Sequence, residues 1–335
     1  MSNIRTVSKL AGVSVATVSR TFSTPESVSE KTRKKVEAAA KDVGYRPNLL
    51  ARNFRAKRSY AIMVLVPNIA NPFFSRVISG IEASAQAKGY SVLLGNTGGS
   101  RERETDYASM VHSFQADGII QLSASYPFDT SASDTRPPLV NICECYDQPV
   151  SPQIQLDNKG AAAAMVEHLV DLGHKQLGIM IGPSSSPLTH DRLAGCKQVF
   201  DARGIKFDDR AIAEGDFSSQ SGFNALDKLL SLRKRPTAIF CFNDEMAIGA
   251  IRRIRDLGFS VPGDISVAGF DDIDFASYCT PTLTTIKQPA ELFGMRAVDL
   301  LCDIIDTPGQ PIAHERLTLP YELIIRGSTA PPRNI

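Results

Sequence analysis

The chain has 335 residues, of which 43% are hydrophobic and 22% charged, a composition typical of a globular protein with two or three folding units. Its net charge of +1 hides an asymmetry, because residues 1–58 contain 13 Lys and Arg against four Asp and Glu, and the rest contains 24 against 32. A small basic unit on an acidic body favours a module that binds a polyanion. The alternative is a solvated basic face without a ligand.

The lack of targeting signals and the pattern of cysteines predict a cytoplasmic protein. The first residues form no apolar run that can act as a signal peptide, and no stretch approaches the roughly 18 apolar residues of a membrane span. The six cysteines are scattered, without CxxC pairs or metal-ligand spacing. We therefore expect reduced, mostly buried thiols and no membrane partner.

Two short helices are predicted on either side of Gly12. In the first, over residues 6–11, Val7 and Leu10 are three residues apart and are expected on one face. Gly12 supplies the permissive backbone of a tight turn, and a second helix follows over residues 15–22. This spacing is typical of a helix-turn-helix.

The capping residues support three helices. Ser14 can cap the second helix, in which Val18 and Phe22 face inward. Ser29 can cap a third helix, whose buried stripe runs through residues 36–43 and which ends at Gly44.

The first turn of the second helix is expected to face the base edges of DNA. Arg20 can make a bidentate contact to guanine, whereas Val15 and Ala16 can offer only apolar contact, for example to a thymine methyl group. The hydroxyl residues that suit phosphate contacts or capping are Ser14, Thr17 and Ser19. The alternative for Arg20 is an ion pair with a nearby carboxylate.

From residue 60 onward, predicted strands alternate with predicted helices. The strands are expected at 60–66, 91–96, 118–122, 139–143, 153–156, 177–181, 238–242 and 265–270. The helices are expected at 73–88, 101–115, 159–171, 191–202, 219–232 and 245–256. This rhythm predicts two doubly wound α/β subdomains with parallel sheets, and a small-molecule cleft at the carboxyl ends of their strands.

Motifs for catalysis, metals and cofactors are missing from the sequence. It contains no GxGxxG after the first strand, no P-loop, no HExxH and no GxSxG elbow. We therefore expect no enzyme activity, no metal site and no cofactor. The rival hypotheses are a sugar-transport binding protein, which needs a signal peptide, and an α/β hydrolase, which needs paired carboxylates or a metal cluster.

The beginning of the chain resembles the headpiece of the lactose/galactose repressor (LacI/GalR) family of transcriptional regulators. The matching segments are Thr6-Val7, Ala11 through Arg20, Val28 through Arg33 and Gly44-Tyr45-Arg46-Pro47-Asn48. Ser8 stands where many members have Ala, which is also small.

The body resembles the same family along its whole length. Its landmarks include Asn71-Pro72-Phe73-Phe74, Arg192-Leu193-Ala194-Gly195, Asn243-Asp244, Gly269-Phe270-Asp271-Asp272 and Leu323 through Ser328. Segments around Phe73, Pro187 and Gly215-Asp216-Phe217 are most similar to the cytidine-repressor branch.

The resemblance implies a division of the chain into three parts. Residues 1–46 would be the helix-turn-helix headpiece, 47–58 the hinge, and 59–335 the effector-binding and dimerisation domain of the periplasmic-binding-protein type. Within that domain, one subdomain would comprise about 59–157 and 288–318, and the other about 158–287 and 319–330.

The resemblance also implies a set of DNA contacts that extends into the hinge. Besides the second helix, this set is Thr6, Asn48, Ala51, Arg52, Phe54 and Arg55. The family usually has Leu as the wedge between base pairs, and Phe54 replaces it here with a larger ring that can stack. Alternatively, Phe54 packs on the body.

The effector site implied by the resemblance consists of Phe73, Phe74, Arg192, Phe217, Asn243 and Asp271. An aromatic ring can stack on a base or a sugar face, and Asp271 can accept hydrogen bonds from two ribose hydroxyls. Arg192 and Asn243 can bind ring oxygens. The alternatives are core packing for each Phe, a turn cap for Asp271 and an ion pair between subdomains for Arg192.

Taken together, the residues and the resemblance predict a ligand-responsive repressor. It would bind a pseudo-palindromic operator in double-stranded DNA as a homodimer, and an effector in the cleft would change its DNA affinity. The effector is expected to be a nucleoside such as cytidine, with a sugar or a purine as the alternative.

Overall fold

The computed structural model describes residues 3–45, 58–128, 137–146, 150–307 and 316–333. The chain divides into two compact units, Met1–Tyr60 and Ala61–Ile335. In the described ranges, no helix is long and apolar enough to cross a membrane.

The first unit contains three helices with side-chain caps. They are α1 (Ile4–Ala11), α2 (Val15–Ser23) and α3 (Glu30–Asp42), with a 3-10 turn at Pro25–Ser27. The caps of α2 and α3 are Ser14 and Ser29, as predicted. Asn3 caps α1, so this helix begins two residues earlier than predicted.

Small apolar side chains hold the three helices together. Val7, Ala11, Val18 and Val36 are fully buried, and Phe22 packs against them. Leu10, expected on one face with Val7, is not buried with it, because 58% of its surface is exposed. The pair Val7 and Ala11, four residues apart, sets the buried face of α1, and Leu10 lies outside that stripe.

The turn between α1 and α2 has the predicted glycine and one further contact. Gly12 has φ +61°, a left-handed conformation that only glycine adopts without a steric cost. The hydroxyl of Ser8 donates a hydrogen bond of 2.6 Å to the carbonyl of Val13. Ser8 therefore fills the place of a small residue and also ties α1 to the turn.

The second unit contains strands and helices in alternation. Its strands are β1 (Ala61–Val66), β2 (Ser91–Asn96), β3 (Gly118–Gln121), β4 (Leu139–Ile142), β5 (Gln153–Leu156), β6 (Leu177–Ile181), β7 (Ile212–Glu214), β8 (Ala238–Cys241), β9 (Ser266–Ala268), β10 (Thr285–Lys287), β11 (Arg316–Leu319) and β12 (Glu322–Ile324). Its helices are α4 (Pro72–Ala87), α5 (Arg101–His112), α6 (Asn158–Asp171), α7 (Pro187–Ala202), α8 (Ser219–Leu230), α9 (Asp244–Asp256), α10 (Asp274–Tyr278) and α11 (Ala290–Asp306).

The strands form two parallel sheets, which define two subdomains. The N-subdomain sheet has the order β11-β5-β4-β3-β1-β2, and the C-subdomain sheet has the order β7-β6-β8-β9. Strands β10 and β12 form a separate antiparallel pair. A helix-turn-helix unit, followed in the chain by two α/β subdomains with parallel sheets, confirms the predicted fold class.

Several elements were not predicted. The largest is α11, whose 17 residues bury Phe293, Val298 and Leu301 and pack along α4. The others are the short strands β7, β10, β11 and β12 and the five-residue helix α10. Strand β11 joins the N-subdomain sheet beside β5, although it follows nearly the whole C-subdomain in the chain.

Helices α8 and α9 cross at a pair of glycines. A Cβ atom on Gly249 would collide with the carbonyl oxygen of Ser219, and one on Gly222 would collide with the carbonyl of Met246. The absence of side chains at these two positions therefore sets the separation of the two helices on one face of the C-subdomain sheet.

Replacing Gly249 by Ala is expected to destabilise the second unit by about 1–3 kcal/mol, because the added methyl group must push two backbones apart. Gly327→Ala is the matched control, since its Cβ would approach the hydroxyl oxygen of Thr282 only to 3.3 Å. Urea unfolding followed by circular dichroism measures both. Equal stability of the two variants would contradict this account of the crossing.

Candidate functional site

The exposed face of α2 carries the residues predicted to read DNA. Val15, Ala16 and Arg20 are exposed, while Val18 and Thr21 point into the core. Arg20 makes no ion pair within residues 3–45 or the other described ranges. Its guanidinium is therefore presented to solvent on the same helix as the two apolar side chains.

The hydroxyl residues of this unit have mainly local partners. Ser14 accepts a hydrogen bond of 3.0 Å from the amide of Thr17, and their hydroxyls are 2.9 Å apart. The hydroxyl of Thr6 donates to the side chain of Asn3, the cap of α1. Ser19 is half-buried. Ser14 and Thr6 thus lie at the two helix beginnings, where backbone amides point outward.

The predicted hinge contacts lie outside the described residues. They are Asn48, Ala51, Arg52, Phe54 and Arg55.

The second candidate site lies where the C-subdomain strands end. The segments that follow β6, β7, β8 and β9 contain Ser186, Phe217, Asn243 and Asp271, respectively. Carboxyl ends of parallel strands meet at one edge of a sheet, which is where ligands bind in such folds.

Arg192 projects from α7 and is only 3% exposed. Its Nε donates a hydrogen bond of 2.9 Å to Asn158, one terminal nitrogen donates to the carbonyl of Phe242, and its Cζ lies 3.6 Å from the ring centroid of Phe270. Burial lowers the pKa of Arg192 to about 10, against the opposing effect of nearby carboxylates, Asp271 first. The guanidinium is therefore held rigidly, with its second terminal nitrogen left without a hydrogen bond among the described residues.

Asp271 is also buried, at the end of β9. Its Oδ1 accepts a hydrogen bond of 2.7 Å from Gln288, and its backbone has φ +123°, a conformation rare for a residue with a side chain. Burial raises the pKa of Asp271 to about 7, although the positive charge of Arg192 opposes the shift. Its Oδ2 accepts no hydrogen bond from the described part of the chain.

Arg192 and Asp271 interact electrostatically, yet no ion pair joins them among the described residues. Each has one polar atom without a hydrogen bond. Buried charges are normally paired, because an unpaired charge in a low-dielectric interior is costly. A polar ligand between them can supply both missing hydrogen bonds.

Asn243 and Phe217 form one structural unit at this edge. The Asn243 side chain caps α9 through the amide of Met246 and donates a hydrogen bond of 2.8 Å to the carbonyl of Phe217. The half-buried ring of Phe217 lies on Gly182, where a Cβ would collide with it. Asn243 therefore positions Phe217, and only one of its amide hydrogens is left for a ligand.

Phe73 and Phe74 differ in their surroundings. Phe73 is buried against Phe293, with ring centroids 6.5 Å apart, as in the core-packing alternative. Phe74 is half-buried, and its ring centroid lies 5.6 Å from that of Phe73. Of this pair, Phe74 offers the more accessible ring.

At least three further polar contacts of the described residues join the two subdomains, and the sequence analysis identified none of these three. Ser186 donates to Glu144, whose pKa is raised by burial. Asn71 donates a hydrogen bond of 3.2 Å to Glu245, and Arg76 donates one of 2.9 Å to the carbonyl of Asp272. The Asn71-Pro72 helix start was the only signal in the sequence for any of them, because the pairs are far apart in the chain.

Thr189 is a further residue that the sequence analysis missed. It lies three residues before Arg192 on α7, it is 1% exposed, and its hydroxyl oxygen has no hydrogen-bond partner in the described ranges. The described residues contain no cluster of His, Cys, Asp and Glu side chains that could hold a metal ion.

Comparison with known proteins identifies two family matches. Residues 3–48 match the bacterial regulatory proteins of the lacI family, and residues 166–329 match a periplasmic binding protein-like domain.

Similar proteins extend over nearly the whole chain. It is 41% identical over 330 residues to the HTH-type transcriptional repressor CytR of Escherichia coli K12, covering 98% of this chain and 96% of that protein. It is 34% identical over 333 residues to the repressor PurR of Photobacterium profundum, covering 98% of each. The crystal structure of the lac repressor dimer bound to operator and the anti-inducer ONPF superposes with a TM-score of 0.87 and 34% identity, covering 98% of this chain and 99% of that one.

The raised pKa of Asp271 predicts a specific pH dependence of stability. A carboxyl group with a folded-state pKa above its unfolded value stabilises the fold at low pH, and this contribution is lost as the pH rises towards about 7. In Asp271→Asn the neutral side chain does not titrate, so this loss of stability with rising pH is absent. The variant therefore gains stability relative to the wild type as the pH rises between about 4 and 8. The gain is a few kcal/mol at most, since one pKa unit corresponds to about 1.36 kcal/mol.

Urea unfolding at several pH values measures this difference. Asp201→Asn, at an exposed carboxylate on α7, is the matched control and should follow the wild type throughout. A difference between Asp271→Asn and the wild type that does not change with pH would show that folding does not raise the pKa of Asp271.

Proposed function

Because the chain belongs to the LacI family of bacterial regulatory proteins, we propose that it is a repressor whose effector is a nucleoside. It is a ligand-responsive, sequence-specific DNA-binding regulator of transcription and not an enzyme. The proposal concerns the effector, the residues that bind it, and the residues that read the operator.

The observation that carries the effector proposal is the buried pair Arg192 and Asp271, which has no ion pair between its members. The free oxygen of Asp271 suits ribose hydroxyls as donors, and the free terminal nitrogen of Arg192 suits a carbonyl or ring oxygen. The half-buried rings of Phe74 and Phe217 provide faces for a base. The segments shared with the cytidine-repressor branch favour a nucleoside over a sugar.

We propose Val15, Ala16 and Arg20 as the base-reading residues of α2. They are exposed together, and Arg20 has no carboxylate partner among the described residues that would hold it away from DNA. The remaining predicted contacts are Ser14, Thr17, Ser19 and Thr6 in the first unit and, in the hinge, Asn48, Ala51, Arg52, Phe54 and Arg55.

We also infer that the protein acts as a homodimer on a pseudo-palindromic operator in the cytoplasm. Phe275 and Tyr278 on α10 are 62% and 84% exposed, and large exposed aromatic side chains on one helix face favour a protein interface. The lac repressor to which this chain is similar binds its operator as a dimer. The six cysteines are free thiols, which suits a reducing compartment.

Arg20→Ala is expected to weaken binding to the operator by about 5–150-fold while leaving binding to unrelated DNA nearly unchanged. A bidentate base contact contributes about 1–3 kcal/mol of discrimination, which corresponds to this range. Lys41→Ala, at an exposed cation of α3, is the matched control and should reduce both affinities alike. Fluorescence anisotropy with the two DNA duplexes measures both ratios. An unchanged ratio in Arg20→Ala would remove Arg20 from the base-reading set.

Calorimetry of the full-length protein should detect binding of cytidine, and Asp271→Ala should weaken it by at least about tenfold, since the variant loses a charged hydrogen-bond acceptor. Ribose, cellobiose and hypoxanthine complete the panel. Binding of a sugar or of the purine base alone would overturn the nucleoside proposal. If Asp271→Ala bound cytidine as well as the wild type, Asp271 would not belong to the site; Asp201→Ala serves as the matched control.

A further inference from the structure

A concave surface lies at the edge of the C-subdomain sheet opposite the proposed effector site, near the amino ends of β6 and β8. It is a groove of about 1370 Å³ between the ends of α6 and α7 and the segments that follow α7 and α8. We call it the basic groove. It shares no residue with the effector site, which lies at the carboxyl ends of the same strands.

The floor of the basic groove is apolar. Its residues are Leu177, Phe200, Ile205, Phe207, Leu232 and Pro236. The half-buried ring of Phe207 stacks on the buried ring of Phe200, with centroids 4.8 Å apart and planes inclined by 13°. The stack gives the groove a partly exposed aromatic surface, and the Nζ of Lys197 lies 5.8 Å from the centroid of the Phe207 ring.

The rim of the basic groove is cationic. Its residues are Lys175, Arg203, Lys206, Arg210, Arg233 and Lys234. Arg203 and Arg210 are neutralised by Asp171 and Asp208, each at 2.8 Å. The other four cations are exposed and make no ion pair in the part of the chain that the structure describes.

This concentration of positive charge is unlike the rest of the second unit. The chain beyond residue 58 carries 24 Lys and Arg against 32 Asp and Glu, yet the groove has six cations and only two acidic residues, Asp208 and Asp209. Asp209 is itself paired with Lys197. Four cations without an ion pair among the described residues therefore surround an apolar floor on a body of net negative charge.

We propose that the basic groove is a docking site for an acidic segment of a partner protein, with apolar side chains between its carboxylates. The carboxylates would contact Lys175, Lys206, Arg233 and Lys234, and the apolar side chains would cover the ring of Phe207. Clusters of basic side chains recognise acidic motifs in this way, and complementary charge speeds association.

Size and burial favour a peptide segment over a small anion. Small-molecule sites usually occupy about 300–1,000 Å³, less than this groove. The four free cations are exposed on the rim, whereas a site for a small anion would place a charged donor in its interior. The apolar floor provides nothing for the phosphates of a nucleic acid, whose backbone is charged along its whole length.

The test uses the full-length protein and a fluorescent peptide in which Glu and Asp alternate with Phe and Leu. We expect it to bind, with an affinity that falls as salt is added. The triple variant Lys206→Glu, Arg233→Glu, Lys234→Glu should bind it at least about tenfold more weakly, because three attractive charges become repulsive. Lys228→Glu, at an exposed lysine of α8 outside the groove, is the matched control and should bind normally.

Four further measurements make the proposal falsifiable. A peptide with Ala in place of Phe and Leu should bind more weakly; equal binding would overturn the role of the floor. Operator binding should be unchanged in the triple variant, which shows that it is folded. If the triple variant retained the acidic peptide, or instead lost only inorganic phosphate or unrelated DNA, the groove would not be a protein-docking site. A changed oligomeric state in analytical ultracentrifugation would assign it to a second copy of the chain.

Discussion

A buried guanidinium organises the C-subdomain of the second unit. Arg192 is almost completely buried. A buried charge is tolerated only where surrounding polar groups and opposite charges offset the cost of its desolvation. It is held by the side chain of Asn158 on α6, the carbonyl of Phe242 after β8 and the ring of Phe270 after β9. Three elements must therefore keep their places for Arg192 to be tolerated, and all three lie at the proposed effector site.

The topology of the C-subdomain separates two kinds of binding surface. All four strands of its sheet are parallel, so one edge collects every carboxyl end and the other every amino end. The carboxyl edge faces the N-subdomain and is crossed by the contacts of Ser186 with Glu144 and of Asn71 with Glu245. The amino edge carries the basic groove. A ligand at one edge and a partner at the other can therefore bind the same sheet without competing for residues.

Positive and negative charge are divided unequally between the two units. The basic first unit and hinge suit DNA, while the acidic second unit is repelled by it, which limits unproductive contacts of the body with the phosphate backbone. The two subdomains meet through polar contacts that include Glu144 and Glu245. Burial raises the pKa of both carboxyl groups, which makes these contacts sensitive to protonation. A ligand that binds one arrangement of the two subdomains more tightly than another shifts the balance between them. Such a difference in affinity is the physical requirement for coupling ligand binding to DNA binding.

The amino-acid sequence by itself determined the features that depend on neighbours a few residues away. The caps Ser14 and Ser29, the turn at Gly12 and the alternation of strands and helices follow from local hydrogen bonding and periodicity. Only the tertiary structure decided which face Leu10 takes, that α11 packs along α4, and that Phe73 lies in the core. The tertiary structure also decided that Arg192 and Asp271 lie close together without an ion pair. It decided, too, that the cations of the basic groove lie around one rim. These arrangements join residues far apart in the chain, and no local pattern contains the packing that brings them together.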